Sequence, residues 1–358
     1  MKFDFVIGNP PYQEETKTKS SKNNQNPMKN IFHHFQLQAD KIASVSSVLI
    51  YPGARWMHRS GKGDGFKKFG KDLINDKKLS RIEYFPNAKD VFSNTADVAD
   101  GITIVVKNQN KTSDGFEYTY CQNSQRRTIH LDNPGDDLLP LNPDDSIIVN
   151  KIKAFVSQNN LRYLHESILP RTWYNIESDF VENNPDKVRL LEKDSEIDYA
   201  SEIKLLTNNK AGKSGRACWY ITKRENITKH VEYIDEFQVV VSSANAGGQK
   251  RDNQLEIIDN HSAYGRSRVG LASFKTYDEA RNFYNYAKTY FIRYAFLMTD
   301  EALSSVGLLV PDIHDYGSEN GLIDFNADID KQLFSLVGLT PDEINYLKNT
   351  VDTWRDKR

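Results

Sequence analysis

The sequence predicts an α/β sheet packed by helices, followed by a second unit of mixed α+β character. Three observations carry this. Phe3 to Ile7 is a short apolar run of aromatic and β-branched residues, ended by Gly8 and by Pro10–Pro11. Strand-like runs then alternate with stretches whose apolar residues recur at helical spacing, as far as about residue 110. From Asn108 to Asp145 the composition turns polar and includes Asn133-Pro134-Gly135, which divides residues 1–110 from residues 145–358.

The elements follow in order. Phe3–Ile7 reads as a strand buried on both faces, as in parallel sheets. The two prolines each fix φ near −65° and lack an N–H, so the strand ends in a rigid turn. Open α/β sheets bind their ligands at such strand ends. Residues 13–29 are polar and rich in Lys, Asn and Ser, and read as a loop. Asn30 to Ala43 reads as a helix, and Val48 to Tyr51 as a second buried strand leading into Gly53-Ala54-Arg55-Trp56. Phe66 to Asn75 is a helix with Phe66, Phe69 and Leu73 on one face. Leu79 to Phe85 and Gly101 to Val106 are two further strands. In the second unit, Asp145 to Ser157 is a helix and Phe237 to Val241 a strand. Tyr277 to Met298 reads as one long helix with an aromatic stripe. Thr340 with Glu343 forms a capping box, and Pro341 sits at the first helical position.

Composition narrows the function classes. The formal net charge is only −2, but nine Lys/Arg stand against three Asp between Arg55 and Arg81. Six Lys/Arg stand against one Glu between Lys210 and Lys229. Clusters of this kind contact phosphates while acidic segments elsewhere hide them in the sum. Two distant cysteines, Cys121 and Cys218, give no disulfide framework and point to a reducing cytosol. No apolar run approaches a membrane span. His33 and His34 read as packing and surface residues, and no His/Cys set has metal-ligand spacing.

Asn9-Pro10-Pro11-Tyr12 after Phe-Asp-Phe-Val-Ile-Gly resembles the catalytic motif of amino-group DNA methyltransferases, in the adenine-N6 branch. The N6 nitrogen is a poor nucleophile because its lone pair is delocalised into the ring. Two acceptors aimed at its hydrogens favour the electron-rich nitrogen of the transition state. The resemblance implies that Asn9 and Pro10 supply these acceptors, with Pro11 fixing the turn, and that Tyr12 stacks on the flipped adenine. Flipping costs a few kcal/mol, and stacking returns about 1–3 kcal/mol per base. The segment from Pro52 through Phe92 and Gly101-Ile102, and the Lys288-Thr289-Tyr290-Phe291-Ile292-Arg293 helix, are similar to restriction–modification methyltransferases that join modification and specificity in one polypeptide, the type IIG and type III-like group. In the gamma-class order of that group an aromatic before the last strand packs near the flipped base, which implies that role for Phe92.

The resemblance further implies a Rossmann-like sheet of which residues 1–110 are the C-terminal part, then a target-recognition domain over 145–358. It implies S-adenosylmethionine as cofactor and double-stranded DNA as partner. The expected Gly-rich cofactor loop does not occur. Ala211-Gly212-Lys213-Ser214-Gly215, Ala246-Gly247-Gly248 and Gly265-Arg266-Ser267 all lack its pattern and its strand–turn–helix context. The cofactor half is therefore expected either on another chain, which could also carry a nuclease, or to be missing through truncation of the gene. Phosphate contacts are expected from Lys17, Lys19, Lys22, Arg55, Arg59, Lys62, Lys210, Lys213, Arg216, Lys250 and Arg251. A function of a different class, compatible with the same residues, is a non-catalytic DNA-specificity module serving a partner nuclease or methylase.

Overall fold

The computed structural model describes residues 2–15, 28–54, 56–57, 64–92, 98, 101–122, 125–135, 139, 141–212, 214–243, 255–298, 306–317 and 321–356. Two compact units divide the chain, 1–146 and 147–358.

The first unit is built on a six-stranded mixed sheet in the order β1-β4-β6-β5-β7-β8. Its strands are β1 (Phe3–Gly8), β4 (Ala43–Pro52), β5 (Leu79–Phe85), β6 (Ile102–Asn108), β7 (Phe116–Gln122) and β8 (Gln125–Leu131). A short ladder of β2 (Gln13–Glu15) and β3 (Met28–Asn30) lies between β1 and helix α1 (Phe32–Ile42). Helix α2 (Asp64–Ile74) follows β4. The β1–β4 and β5–β7 pairs are parallel, and β4–β6, β5–β6 and β7–β8 are antiparallel.

Strand alternation sorts the side chains onto two unlike faces. Leu49, Tyr51, Ile82, Tyr84, Val105 and Tyr118 form one core with Phe32 of α1 and Phe69 and Leu73 of α2. Both helices therefore cover the same face. Phe32 sits 4.9 Å from the Tyr51 ring, and Phe69 6.3 Å from it. A polar string pins the helices to the sheet. Buried Gln36 takes the Tyr51 hydroxyl and donates to Asp40 at 2.7 Å. Buried Lys107 of β6 then bridges Asp40 at 2.7 Å and Asp76, just beyond α2, at 2.6 Å.

Two expectations change here. Phe3–Ile7 is an edge strand, with Phe3, Phe5 and Ile7 exposed by 48%, 63% and 76%. The apolar run signals a strand, but burial depends on neighbours that local sequence does not encode. The polar stretch after residue 108 carries β7 and β8, so the first unit continues to Ser146. Trp56 is fully buried, and its indole N–H donates to Thr103 Oγ1 at 2.9 Å.

In the second unit, α3 (Asp145–Gln158), β9 (Arg162–Tyr163) and α4 (Phe180–Asn183) lead into two sheets. The first sheet orders β10 (Val188–Leu190), β12 (Ala217–Lys223), β11 (Glu202–Asn208) and β15 (Ser262–Tyr264). The second orders β14 (Leu255–Ile258), β13 (Phe237–Ser242) and β16 (Arg268–Phe274). Leu205, Tyr174, Val240, Ile258 and Tyr264 share one core. The expected long helix is two, α5 (Tyr277–Ala287) and α6 (Tyr290–Leu297). Thr289 caps α6 by accepting from Ile292 N, and Asp330 accepts from Tyr290 N and Phe291 N at 2.9 and 3.0 Å. Strand β17 (Pro311–Asp312) pairs with β9, and helices α7 (Ile329–Val337) and α8 (Pro341–Asp356) end the described chain. The Thr340–Glu343 capping box forms as expected. Among the described residues, no helix is long and apolar enough to cross a membrane.

Asp76 gives this architecture a pH signature. Burial raises its carboxyl, but the Lys107 hydrogen bond, with support from Lys78, brings its pKa below the usual value. A depressed carboxyl stabilises fully above its unfolded pKa of about 3.9, and that contribution is lost as pH falls through the folded value. At pH 7, Asp76→Asn is expected to lower stability by about 1.5–3 kcal/mol, as for a hydrogen bond to a charged group. Urea denaturation at pH 7 and pH 3 checks this, and the difference from wild type should shrink at pH 3.

Candidate functional site

Strand register brings several segments to one end of the first sheet. Gly8 lies beside Leu49 of the parallel β4, so residues 9–12 leave β1 at the end where β4 also finishes. Pro52 pairs with Ile102, and Ile102 with Phe85. Tyr84 pairs with Tyr120 of the parallel β7, whose turn into β8 precedes Arg126. The Asn9–Tyr12 turn, Gly53–Ala54, the segment from Phe85 to Phe92 and the Gln122–Gln125 pair of β7 and β8 thus share the end where the parallel strands finish.

Within the turn, Pro10 is buried while Asn9 and Pro11 are exposed. Tyr12 is partly buried and packs on the core beneath α1. Its carbonyl accepts from Ile31 N at 3.0 Å, which ties the turn to the start of that helix. Among the described residues its hydroxyl is buried with no hydrogen-bond partner. Burial raises the Tyr12 pKa, and the nearby Asn9 side chain eases the rise. The phenol is therefore neutral at physiological pH, next to an exposed amide. His33, in the first turn of α1, has its pKa lowered by burial and by the charges of His34 and Lys29.

Phe92 is partly buried after a 3-10 turn, Ala88–Asp90, and its N–H donates to Ala88 O at 2.9 Å. It lies on the segment joining β5 to β6, at the same sheet end as the turn. Two arginines at this end escaped the sequence reading. Arg126 pairs with Glu83 and sits 5.9 Å over the Phe85 ring. Arg127 pairs with Asp144. The run Gln125-Arg126-Arg127 was the available signal.

Of the expected phosphate contacts, Lys210 and Arg216 lie exposed on the hairpin between β11 and β12. Asn209 accepts from Arg216 N at 2.8 Å and closes that hairpin. Lys17, Lys19, Lys22, Arg55, Arg59, Lys62, Lys213, Lys250 and Arg251 fall outside the described residues. In the rest of the first basic cluster, Lys68 pairs with Asp72, Lys77 with Asp114 and Arg81 with Glu83, which offsets its charge.

Three of the described glycines sit hard against backbone carbonyls. A Cβ on Gly70 would strike the Trp56 carbonyl, one on Gly101 the Phe85 carbonyl, and one on Gly215 the Lys210 carbonyl. Each of these presses on its own chain. Gly212 and Gly215 belong to the β11–β12 hairpin and do not open a helix. Gly70, Gly101 and Gly215 therefore offer no open backbone to S-adenosylmethionine. Among them, no group of three or more His, Cys, Asp or Glu could hold a metal ion.

The model of a family described as Eco57I restriction-modification methylase matches residues 1–92. No curated protein matches the chain. Among solved structures, a modification subunit of a putative type I restriction enzyme from Vibrio vulnificus YJ016 is 14% identical, over 34% of this chain and 26% of that one, with a TM-score of 0.24. The type IIL restriction-modification enzyme MmeI, solved in complex with DNA, is 10% identical, over 98% and 57%, with a TM-score of 0.41. The type IIG restriction endonuclease BpuSI is 9% identical, over 99% and 53%, with a TM-score of 0.35. The chain thus spans from about a quarter to somewhat over half the length of these proteins. Over residues 1–92, which hold the Asn9–Tyr12 turn, it is similar to restriction–modification methylases.

Proposed function

We propose that this chain carries the acceptor-side turn and the target-recognition region of a site-specific adenine-N6 DNA methyltransferase in a restriction–modification system. The observation that carries the proposal is the Asn9–Tyr12 turn at the finish of the parallel β1–β4 pair, inside the residues that match the methylase family. The exposed Asn9 amide and the Pro10 carbonyl accept from the two hydrogens on N6. As the nitrogen pyramidalises, its hydrogens become more positive and both bonds strengthen, so the effect falls mainly on the transition state. Tyr12, anchored through Ile31 and the core, offers a fixed ring for the extrahelical base, and Phe92 closes on it from the segment that joins β5 to β6. Lys210 and Arg216 contact phosphate. The methyl donor is bound by residues beyond those described, and calorimetry of the 358-residue chain alone is expected to show no micromolar binding of S-adenosylmethionine.

The second reading is a DNA-specificity module without chemistry of its own. Asn9→Ala decides between the two readings in the completed enzyme. Losing one preorganised partner lowers turnover about 10²–10³-fold in comparable sites, while DNA affinity, which rests on phosphate and base-edge contacts, is expected to hold. Tyr12→Ala is expected to weaken flipping as well as turnover. A labelled-methyl assay together with 2-aminopurine fluorescence at the target base separates these effects. Full activity in Asn9→Ala would falsify the catalytic assignment and leave the specificity module.

DNA binding is expected to weaken steeply with salt, with a log–log slope of about −0.9 per phosphate contact. Replacing Lys210 and Arg216 together by Ala should flatten that slope by about two contacts' worth. Filter binding between low and physiological salt measures it, and an unchanged slope removes this hairpin from the interface.

A further inference from the structure

The two sheets of the second unit are tied together at one end by a short turn. Tyr264, at the close of β15, pairs with Leu206 of the parallel β11, and Arg268 opens β16 opposite Ser242, the last residue of β13. Gly265, Arg266 and Ser267 make the turn between β15 and β16. Its backbone is held by segments distant in sequence. Gly265 N donates to Leu206 O at 2.9 Å and Arg266 N to Ile176 O at 3.1 Å, and Ser267 O accepts from Ser243 N at 2.8 Å. A Cβ on Gly265 would strike the Thr207 hydroxyl, so the turn presses directly on β11. The β11–β12 hairpin, with Lys210 and Arg216 exposed, leaves from the same end. Glu182 accepts from Ala211 N at 2.7 Å, which ties that hairpin to the segment carrying Glu177.

This frame presents the side chain of Arg266. Its Nη1 donates to Glu177, and the pair stays in contact with water, with 33% of the arginine side chain and 51% of the glutamate side chain exposed. Exposed ion pairs add little to stability, and the turn already has its backbone hydrogen bonds, so the pair is not needed as a fastener. What it does is hold a guanidinium in one place, so that less rotamer freedom remains to be lost on binding. Nε and Nη2 of Arg266 meet no acceptor among the described residues. Arg268, two residues on, is the internal contrast. Its Nε and Nη2 both donate to Glu256, at 3.2 and 3.1 Å, and only 15% of its side chain is exposed. The Arg268 fork is committed to the fold, and the Arg266 fork is open.

We propose that Arg266 is a specificity-determining residue that reads a guanine in the DNA site, donating from its open fork to O6 and N7 in the major groove. The proposal rests on the target-recognition reading of the second unit. Guanine is the base whose major-groove edge sets two acceptors side by side, whereas adenine pairs an acceptor with a donor and repels one arm of the fork. The Glu177 carboxylate beside the guanidinium favours this ligand over a phosphate, because like charges brought together at an interface are costly and a base edge carries no net charge. Lys210 and Arg216 on the neighbouring hairpin hold the backbone and carry no sequence information.

The test uses the full 358-residue chain and a pool of randomised duplexes, sequenced after selection. Wild type is expected to select a site with a guanine that Arg266→Ala and Arg266→Lys no longer select, while the other positions are kept. Lysine retains the charge and the stem but not the planar fork, so it decides the matter if the alanine variant fails to fold. Replacing that G·C pair by A·T should weaken wild type roughly 5- to 150-fold. 7-Deazaguanine at the same position, which lacks the N7 acceptor, should weaken wild type about tenfold and leave Arg266→Lys unchanged. Retention of the guanine by Arg266→Lys overturns the proposal. So does a uniform loss of affinity over all sequences with a shallower salt slope, which would make Arg266 a phosphate contact. Loss of the fold in Arg266→Lys overturns it as well, since the arginine would then be structural. A wild-type chain that binds no duplex, or binds without base preference, overturns it together with the target-recognition reading, so the two failures are distinguishable.

Discussion

Lys107 holds the first unit in register with its helices. Its ammonium is buried on β6 between Asp40 of α1 and Asp76 beyond α2, at 2.7 and 2.6 Å. A charge removed from water needs this degree of pairing, and breaking such a pair typically costs about 3–5 kcal/mol. The arrangement clamps both helices to one face of the sheet. Through Gln36 it also reaches the Tyr51 hydroxyl on β4, the strand that pairs with β1. The start of α1 in turn fixes Tyr12 through Ile31. The candidate catalytic turn is thus placed by a polar clamp on the opposite side of the core.

The same clamp accounts for the bareness of the other face. With both helices committed to the Leu49–Tyr51 side, Phe5 and Ile7 have nothing described above them. A strand buried on one face and unpaired on its outer edge is costly to leave in water, since each exposed methylene forfeits about 0.8 kcal/mol of transfer free energy.

Much of this was legible locally. Asn9-Pro10-Pro11-Tyr12, the Thr340–Glu343 capping box and helix α2 depend on residues close in sequence, and their spacing is their signal. The break between α5 and α6 was legible only in the local cap Thr289, because the acceptor for Tyr290 N and Phe291 N is Asp330 of the distant α7. Nor was the exposure of β1. The run Phe3–Ile7 has strand composition in either environment, and only the sheet order makes it an edge. Lys107 likewise reads as one more charge in a strand until Asp40 and Asp76 are brought to it by folding. Arg126 and Arg127 were visible as a basic pair, but only the β7–β8 turn places them at the site's end of the sheet.

The central claim is that the Asn9–Tyr12 turn receives an extrahelical base. Photocrosslinking tests it most directly. A duplex pool with 5-iodouracil in place of adenine is bound to the completed enzyme, irradiated and digested, and the crosslinked peptides are sequenced by mass spectrometry. The account predicts that the dominant adduct falls on Tyr12 and is lost in Tyr12→Ala while DNA binding persists. Adducts confined to residues 147–358, with none on the turn, would contradict it.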